Sequence, residues 1–198
     1  MSAKALLSAS VSAGPAAYVE DVFSTYLYTG NGSTQTIRNG IALADGVAIA
    51  LGDAIGGGYF AGFISHTANG VATHALIVAP AATGVSDLRW QSTVGTTSAT
   101  SPFDGAANTA LMSNSPAADF CTGLSIGGYS DWYLPARYEL EIAYYNFKPT
   151  TGSNTTSWGT NNYSVPARTV NYDAGDPAQT SVAAFQSGGA EAFVADNH

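Results

Sequence analysis

The chain has 198 residues, of which 6 are basic and 14 acidic, so its net charge at pH 7 is −8. A protein this acidic lacks the positive surface that binds phosphate backbones or anionic lipid headgroups, so we expect neither nucleic acid nor a membrane as a partner. The single cysteine, Cys121, excludes an intrachain disulfide and a cysteine-based zinc cluster. No run of about 18 apolar residues is present, which argues against a transmembrane helix.

The composition is unusual for an enzyme of the cytosol. Charged residues make up 10% of the chain, whereas about 25% is usual for a soluble domain. The chain has 11 tyrosines and 22 glycines. These features are typical of a rigid, turn-rich β surface on an extracellular or virion-surface protein. The length predicts one domain, or one domain with a small additional module.

The first 56 residues divide into two parts. Residues 1–17 are small and polar, and serines interrupt what would be the apolar core of a secretion signal. We predict a flexible arm over 1–17 that becomes ordered against a partner. Residues 18–52 alternate β-forming runs with Gly- and Asn-rich turns and predict an antiparallel β meander without helix. The module 18–56 is too small to bury a core alone, and Gly56–Gly58 suggests a domain joint.

Residues 59–79 predict a β-hairpin whose turn contains Asn69 and Gly70. The run Leu76–Val78 is continuously apolar, so we expect the second strand to be buried on both faces. His66 and His74 flank the hairpin and could face each other. A metal site needs at least one more ligand, so we expect surface or hydrogen-bonded histidines and no metal.

Three helices are predicted further along the chain. Asp104 can cap the first helix. The second is predicted over 117–124, and Pro116 suits its first turn. We expect Cys121 on this second helix to be a buried, inert thiol. The third is predicted over Pro135–Phe147. Its predicted apolar stripe consists of Ala136, Leu140, Ala143, Tyr144 and Phe147.

On this third helix Arg137 is expected to be exposed and to pair with Glu141, four residues on. Glu139 and Glu141 lie two residues apart and so point to different faces. They therefore do not form an acid–base pair. Residues 181–186 predict a further short helix.

Residues 150–179 read as a long loop, and loops of this length are usually functional or disordered. Its candidate ligand-binding residues are Trp158, Asn161, Asn162, Tyr163 and Tyr172. One interpretation is that the rings stack on sugar faces while the amides bind hydroxyls. The equally weighted alternative is that the rings fold back and seal the loop.

The segment 127–140, GGYSDWYLPARYEL, resembles the GGYSDWRLPTxxEL signature of Lcl C-terminal-like domains, a family common in phage virion proteins. Residues 88–91, 120–124 and 185–193 are similar to further segments of that family. Residues 23–32 resemble the openings of phage tail-fibre proteins. The resemblance implies a C-type-lectin-like fold with two helices and long loops, and glycan or surface attachment, often as a trimer.

The resemblance also implies structural roles for the signature residues. Gly127 and Gly128 would form a sharp turn, Trp132 and Leu134 would fill the core, and Pro135 would begin the helix that carries Leu140. Family members continue with closing strands that this sequence does not show. We therefore expect residues 57–198 to be a lectin-like domain without those strands, completed by another chain or representing a fragment.

The sequence thus predicts an α+β protein in which an N-terminal β meander precedes a C-type-lectin-like domain. We expect a non-enzymatic bacteriophage virion surface protein, a tail-fibre or head-fibre component that attaches to a host-surface glycan or protein. The alternative is a purely structural decoration or joining protein of the virion. Formylglycine-generating enzymes share a related fold but require a cysteine pair, and no Ser/His/Asp spacing or phosphate loop is visible. We expect no cofactor, a homo-oligomer (a trimer is favoured), and contacts with other virion proteins.

Overall fold

The computed structural model describes residues 50–92 and 97–193, together with the backbone of six strands within the first 49 residues. The strands are β1 (Ala3–Lys4), β2 (Ser8–Ser10), β3 (Thr25–Gly30), β4 (Ser33–Arg38), β5 (Ile41–Ala44), β6 (Val47–Ile49), β7 (Ala54–Ile55), β8 (Gly58–Ile64), β9 (His74–Val78), β10 (Asp87–Leu88), β11 (Trp132–Tyr133) and β12 (Ser164–Val165). The helices are α1 (Ala81–Gly84), α2 (Gly105–Leu111), α3 (Pro116–Thr122) and α4 (Arg137–Phe147), followed by a 3₁₀ turn at Ala183–Phe185. The described chain is therefore a mixed α+β protein.

A six-stranded antiparallel sheet forms the centre of the molecule. Its strand order is β11-β2-β9-β8-β12, and β7 also pairs with β8. Strands β8 and β9 form the hairpin that the sequence predicts at 59–79, so this prediction is confirmed. Leu76, Ile77 and Val78 are all buried, as expected for a strand covered on both faces.

Two short strands lie within the segment for which a flexible arm is predicted. Strand β1 pairs with β10, and β2 lies between β9 and β11, where Ser8 is paired with Val78 on one side and Tyr133 on the other. The described parts of residues 1–17 thus complete this chain's own sheet. Serine and alanine carry little strand signal, so the composition of this segment does not reveal that neighbouring strands supply its hydrogen-bond partners.

The predicted meander is confirmed over its described strands. Strands β3 to β6 pair antiparallel in sequence order, and the described residues between 18 and 52 contain no helix. The turns at 31–32, 39–40 and 45–46 lie outside the described residues. The boundary predicted at residue 56 falls inside the β7–β8 hairpin, because Ile55 pairs with Gly58.

The glycines at that hairpin make a close contact with the signature segment. Gly57 and Gly127 both have positive φ, at 81° and 61°. A Cβ on Gly127 would lie 2.6 Å from the Gly57 Cα, and one on Gly57 would lie 2.4 Å from the Ile126 carbonyl oxygen. Only residues without a Cβ permit this approach of two turns. The turn predicted for Gly127 and Gly128 is therefore present, and it packs against the β7–β8 turn.

Apolar side chains cover both faces of the sheet, since successive residues of a strand point to opposite sides. One buried cluster consists of Phe60, Phe63, Ala72, Ile77, Cys121 and Trp132. The other consists of Ala61, Ile64, Leu76, Val78, Ile142, Ala143, Phe147 and Phe185. Helix α3 contributes to the first cluster and α4 to the second, so the helices pack on opposite faces of the sheet.

The helix caps follow the sequence prediction. The Asp104 carboxylate accepts a hydrogen bond from the Ala107 N–H at 2.8 Å, and Pro116 occupies the first turn of α3. Burial raises the pKa of the Cys121 thiol to about 12, which agrees with an inert cysteine.

The predicted register of α4 is partly wrong. Ala143 and Phe147 are buried and Arg137 is exposed, as predicted, but Leu140 is 38% exposed. Glu139 and Ile142 occupy the core-facing positions instead. The helix begins at Arg137, so Pro135 precedes the helix rather than occupying its first turn.

Glu139 faces the core because backbone donors surround its carboxylate. The side chain accepts hydrogen bonds from the N–H groups of Ala136 (2.6 Å) and Gly105 (3.0 Å) and from the Tyr133 hydroxyl (2.7 Å). Ala136 precedes α4 and Gly105 begins α2, so one carboxylate satisfies free N–H groups at the amino ends of two helices. Glu139 itself is 2% exposed.

Glu139 is expected to make stability depend on pH. Burial raises its pKa to about 7 from the ordinary 4.5, so the folded state binds this proton more tightly than the unfolded state does. Its contribution to stability is then complete below pH 4.5 and is lost as the pH rises to about 7, a decrease of about 3 kcal/mol. Glu139→Gln retains an acceptor for the two N–H groups but does not titrate, so its free energy of unfolding should lack this decrease.

Urea unfolding of both proteins at several pH values between 4 and 8 measures the difference. Asp131→Asn, which removes an exposed carboxyl, is the control and should keep the wild-type pH dependence. If the free energy of unfolding changed with pH in Glu139→Gln as it does in the wild type, Glu139 would not be the group responsible for the decrease.

Candidate functional site

The structure separates the five predicted ligand-binding residues into two groups. Trp158 is 57% exposed, Asn162 is exposed, and Tyr163 is half-buried. Asn161 is fully buried, and Tyr172 is 8% exposed. The structure therefore leaves Trp158 and Asn162 exposed and places Asn161 and Tyr172 inside the fold.

Asn161 serves the fold and has no polar atom left for a ligand. Its side-chain N–H₂ donates to the Tyr138 carbonyl at 3.0 Å and to the Glu141 carboxylate at 2.5 Å. Its side-chain oxygen accepts from the N–H groups of Tyr163 and Ser164, at 2.9 and 3.1 Å. The polar atoms of Asn161 are thus used within the fold, and a ligand contact by Asn161 stays a prediction.

Glu141 anchors the loop to α4. Its carboxylate forms an ion pair with Arg168 and accepts a hydrogen bond from the Tyr172 hydroxyl, in addition to the bond from Asn161. The Arg168 guanidinium also lies 4.2 Å from the centre of the Tyr145 ring. The predicted pair between Arg137 and Glu141 is therefore wrong, because Glu141 is taken by a residue 27 positions away.

Tyr172 seals the loop rather than presenting a ring to a ligand. Burial and the neighbouring Glu141 carboxylate raise the pKa of its hydroxyl, so the hydroxyl stays protonated and donates to Glu141. Its ring lies near those of Tyr144 and Tyr145 on α4. A ligand contact by Tyr172 likewise stays a prediction, while its ring and hydroxyl serve the fold.

A buried cation holds the two ends of the loop together. The Lys148 ammonium donates to the carbonyl oxygens of Gly152 at 2.5 Å and Pro177 at 3.1 Å. The Thr180 N–H donates to the Lys148 carbonyl at 2.9 Å. Burial lowers the pKa of Lys148. The loop is therefore closed by polar contacts at its base as well as at Glu141.

The exposed part of the loop joins a row of rings on the surface. The Arg137 guanidinium lies 5.0 Å from the centre of the Trp158 ring and 5.2 Å from that of Tyr138. Tyr138 in turn lies 5.2 Å from Tyr163 in a stacked arrangement. The first turn of α4 thus supplies Arg137 and Tyr138, and the loop supplies Trp158 and Tyr163.

The row continues toward the hairpin. Tyr163 stacks on Phe103 at 4.4 Å with an interplanar angle of 14°, and Phe103 meets His66 at 5.3 Å. Backbone contacts fix these positions, since the Ser65 N–H donates to the Tyr163 carbonyl at 2.7 Å. We call this set the aromatic row. Its members are Trp158, Arg137, Tyr138, Tyr163, Phe103, His66 and His74.

The predicted facing of the two histidines is confirmed, with ring centres 4.2 Å apart. Burial lowers the pKa of both, and for His74 the neighbouring His66 adds to the decrease. Asp104 lies 3.9 Å from His66. Among the residues that the structure describes, no group of three or more His, Cys, Asp or Glu side chains could hold a metal ion.

A second surface feature lies at the carboxyl end of α2. Trp90 is 46% exposed, and it borders a cleft of about 170 Å³. The cleft is lined by Trp90, Gln91, Thr97, Ser98, Leu111, Met112, Ser113 and Ser115. None of these eight side chains is charged. The position of Trp90 is fixed by Ser115, whose hydroxyl donates to the Trp90 carbonyl.

The signature residues lie in the scaffold beneath these surfaces. Trp132 is buried, and its indole N–H donates to the Tyr129 carbonyl at 3.1 Å. Leu134 is partly buried, and its N–H donates to the Thr109 hydroxyl at 3.0 Å. These contacts support the structural roles expected of Trp132 and Leu134. Leu140 does not take the core position expected of it.

No family model matches this sequence, and no curated protein or solved structure shows significant similarity to it. Among the described residues, no helix combines the length and apolar character needed to cross a membrane.

Substitutions in the two groups of loop residues should reduce stability by different amounts. Tyr172→Ala removes a buried ring and leaves Glu141 with fewer donors, so we expect a loss of about 2–4 kcal/mol in the free energy of unfolding. Trp158→Ala removes an exposed ring over Arg137 and should cost about 1 kcal/mol or less. Urea denaturation of both variants measures the difference, and Tyr172→Phe isolates the contribution of the hydroxyl. Equal losses in the two alanine variants would contradict this division.

Proposed function

We propose that this chain is a non-enzymatic bacteriophage virion surface protein, a component of a tail fibre or head fibre, that attaches to a glycan on the host surface. The likeness of residues 127–140 to the Lcl C-terminal-like signature and the low content of charged residues support this proposal. We further propose that residues 57–193 adopt a C-type-lectin-like fold. An antiparallel sheet with helices on both faces and a long ordered loop is compatible with it.

The observation that carries the proposal is the aromatic row. Trp158 presents a large ring to solvent against the Arg137 guanidinium, which also lies over the half-buried Tyr138 ring. Sugar rings offer flat C–H faces to such surfaces. The exposed amide of Asn162 lies next to Tyr163 in the chain and can bind hydroxyls. Glu141 and Lys148 already hold the loop in place, so binding costs little conformational entropy.

A second function rests on a different feature of the same row. Tyr163 stacks on both Phe103 and Tyr138, and rings that stack in this way also stabilise a fold. Under this alternative the protein is a purely structural decoration or joining subunit of the virion. Trp158 would then contact a neighbouring subunit instead of a glycan.

Trp158→Ala distinguishes the two functions. We expect the variant to fold normally and to lose about tenfold or more in affinity for host-surface glycans, because a ring that anchors a ligand contributes about 1–3 kcal/mol. Adsorption to host cells and binding to a glycan array provide the measurements. Trp90→Ala is the matched control, since it removes an exposed indole from a different surface.

Unchanged adsorption and array binding in folded Trp158→Ala would exclude the aromatic row as the attachment site. If only Trp90→Ala lost adsorption and array binding, the attachment site would be the cleft at the carboxyl end of α2. A loss of virion assembly together with intact glycan binding would favour the structural alternative.

We also propose that the chain assembles as a homotrimer at the virion surface, with the β3–β6 meander contacting other virion proteins. A four-stranded sheet of this size has little apolar area to bury by itself, and symmetric association can cover its surface. Light scattering of the purified chain should give three times the chain mass. A stable monomer across the micromolar range would contradict the trimer.

A further inference from the structure

Arg137 differs from its neighbouring cations in its contacts within the described part of the chain. Arg168 is paired with Glu141, and Lys148 donates to two carbonyl oxygens. The Arg137 guanidinium, by contrast, lies over the rings of Trp158 and Tyr138. Among the residues that the structure describes, no oxygen accepts a hydrogen bond from it and no carboxylate forms an ion pair with it.

The two carboxylates nearest along the helix are already occupied. Glu139 is buried beneath the helix start and accepts from Gly105, Ala136 and Tyr133. Glu141 is held by loop residues, as described above. Arg137 is therefore an exposed positive charge that the acidic residues of its own helix do not neutralise.

The chemistry of a guanidinium over ring faces is specific. Arginine carries five N–H donors in a planar fork that matches the two oxygens of a carboxylate. Packing against rings orients the guanidinium and leaves its N–H edges available to an acceptor. Hydrogen bonds between a guanidinium and a carboxylate are stronger than neutral ones, and a bidentate pair also fixes the geometry.

We propose that Arg137 makes the aromatic row selective for acidic glycans, namely those in which a sugar bears a carboxylate. The carboxylate binds the Arg137 fork while the sugar ring packs on Trp158. Asn162, exposed on the same loop, binds hydroxyl groups of that sugar or of the next one. This inference rests on the proposed function, since it specifies the ligand of the same surface.

The net charge of −8 favours sugars with a single carboxylate over densely charged polyanions. A strongly acidic protein repels densely charged polyanions as a whole, so general attraction to negative polymers does not explain binding. A sugar with one carboxylate next to its apolar face fits this surface, because the carboxylate can pair with Arg137 while the sugar face packs on a ring. Sulfated sugars carry a tetrahedral group and a different charge distribution, and they provide an independent comparison.

The test uses a glycan array with matched sets of saccharides. Each set contains a carboxylate-bearing sugar, its neutral counterpart with the carboxyl reduced to an alcohol, and a sulfated analogue. The proteins compared are the wild type, Arg137→Gln, Arg137→Lys and Trp158→Ala. Arg89→Gln is the control, because Arg89 is also an exposed arginine.

We expect the wild type to prefer the carboxylate sugar over its neutral counterpart by about tenfold or more, with the preference decreasing at high salt. Arg137→Gln should lose the preference, so that it binds the carboxylate sugar and its neutral counterpart with similar affinity. Arg137→Lys should retain part of the preference, since lysine keeps the charge without the fork. Trp158→Ala should weaken binding to both sugars, and Arg89→Gln should behave as the wild type.

The outcomes separate this inference from the function on which it rests. Equal wild-type binding of acidic and neutral sugars, or a preference that survives in Arg137→Gln, overturns the role of Arg137 and leaves glycan attachment standing. A stronger preference for the sulfated analogue overturns the carboxylate assignment. Failure of the wild type to bind any saccharide overturns both proposals. Urea unfolding of each variant confirms that the folded proteins are being compared.

Discussion

The buried carboxylate of Glu139 joins segments that are 34 residues apart in the sequence. It binds the N–H groups at the starts of α2 and α4 and the hydroxyl of Tyr133 on strand β11. Burying a carboxylate costs free energy unless hydrogen bonds replace its water. Here three donors offset part of that cost, and burial still raises the pKa of Glu139. A Cβ on Gly105 would lie 2.5 Å from the carboxylate, so the contact also requires glycine at that position.

This contact determines what the rest of α4 presents. With Glu139 directed inward, Ile142, Ala143 and Phe147 follow on the same side at helical spacing and pack on the sheet. Arg137 and Glu141 each lie two residues from Glu139 and therefore point away from the core. The same carboxylate thus places Arg137 beside Trp158 and Glu141 beside Arg168, and so it sets the geometry of the surface site.

The loop that completes the site is held mainly by polar contacts. Asn161 uses both N–H donors and accepts two hydrogen bonds, and Lys148 joins residues 152 and 177 at the base of the loop. Buried polar groups that are satisfied in this way define one conformation strongly, because each unmade bond would carry a penalty. Trp158 consequently projects from a fixed segment rather than from a mobile one.

Much of the fold follows from local sequence signals, and the departures have a common cause. The β8–β9 hairpin, the meander, the caps at Asp104 and Pro116 and the facing histidines depend on short-range patterns, so they were predictable. The sequence pattern places Leu140 in the core, because a charged residue such as Glu139 normally lies on the surface. In the structure, hydrogen-bond donors from other segments hold Glu139 in the core instead, and Leu140 is exposed. The insertion of β2 into the sheet likewise depends on partners far along the chain.

The site was predictable to a smaller extent for the same reason. Its exposed ring, Trp158, belongs to a loop whose composition indicated binding. Three other members of the aromatic row, Arg137, Tyr138 and Phe103, come from other segments and carry no signal of their own. Asn161 and Tyr172 have the composition of ligand contacts, but Glu141 and the loop backbone use their polar atoms. Composition identifies the residue types that bind, and only the packing shows which of them remain free.

The balance of charges indicates how such a surface would recognise a ligand. At physiological ionic strength the charge of −8 is screened beyond about 8 Å, so distant acidic residues have little effect on a group in contact with Arg137. They still oppose the approach of extended polyanions, whose charges act together. Under the proposed function, recognition on the aromatic row therefore depends on short-range contacts with rings and one guanidinium. A surface of this kind distinguishes ligands by the placement of a single charge next to an apolar face.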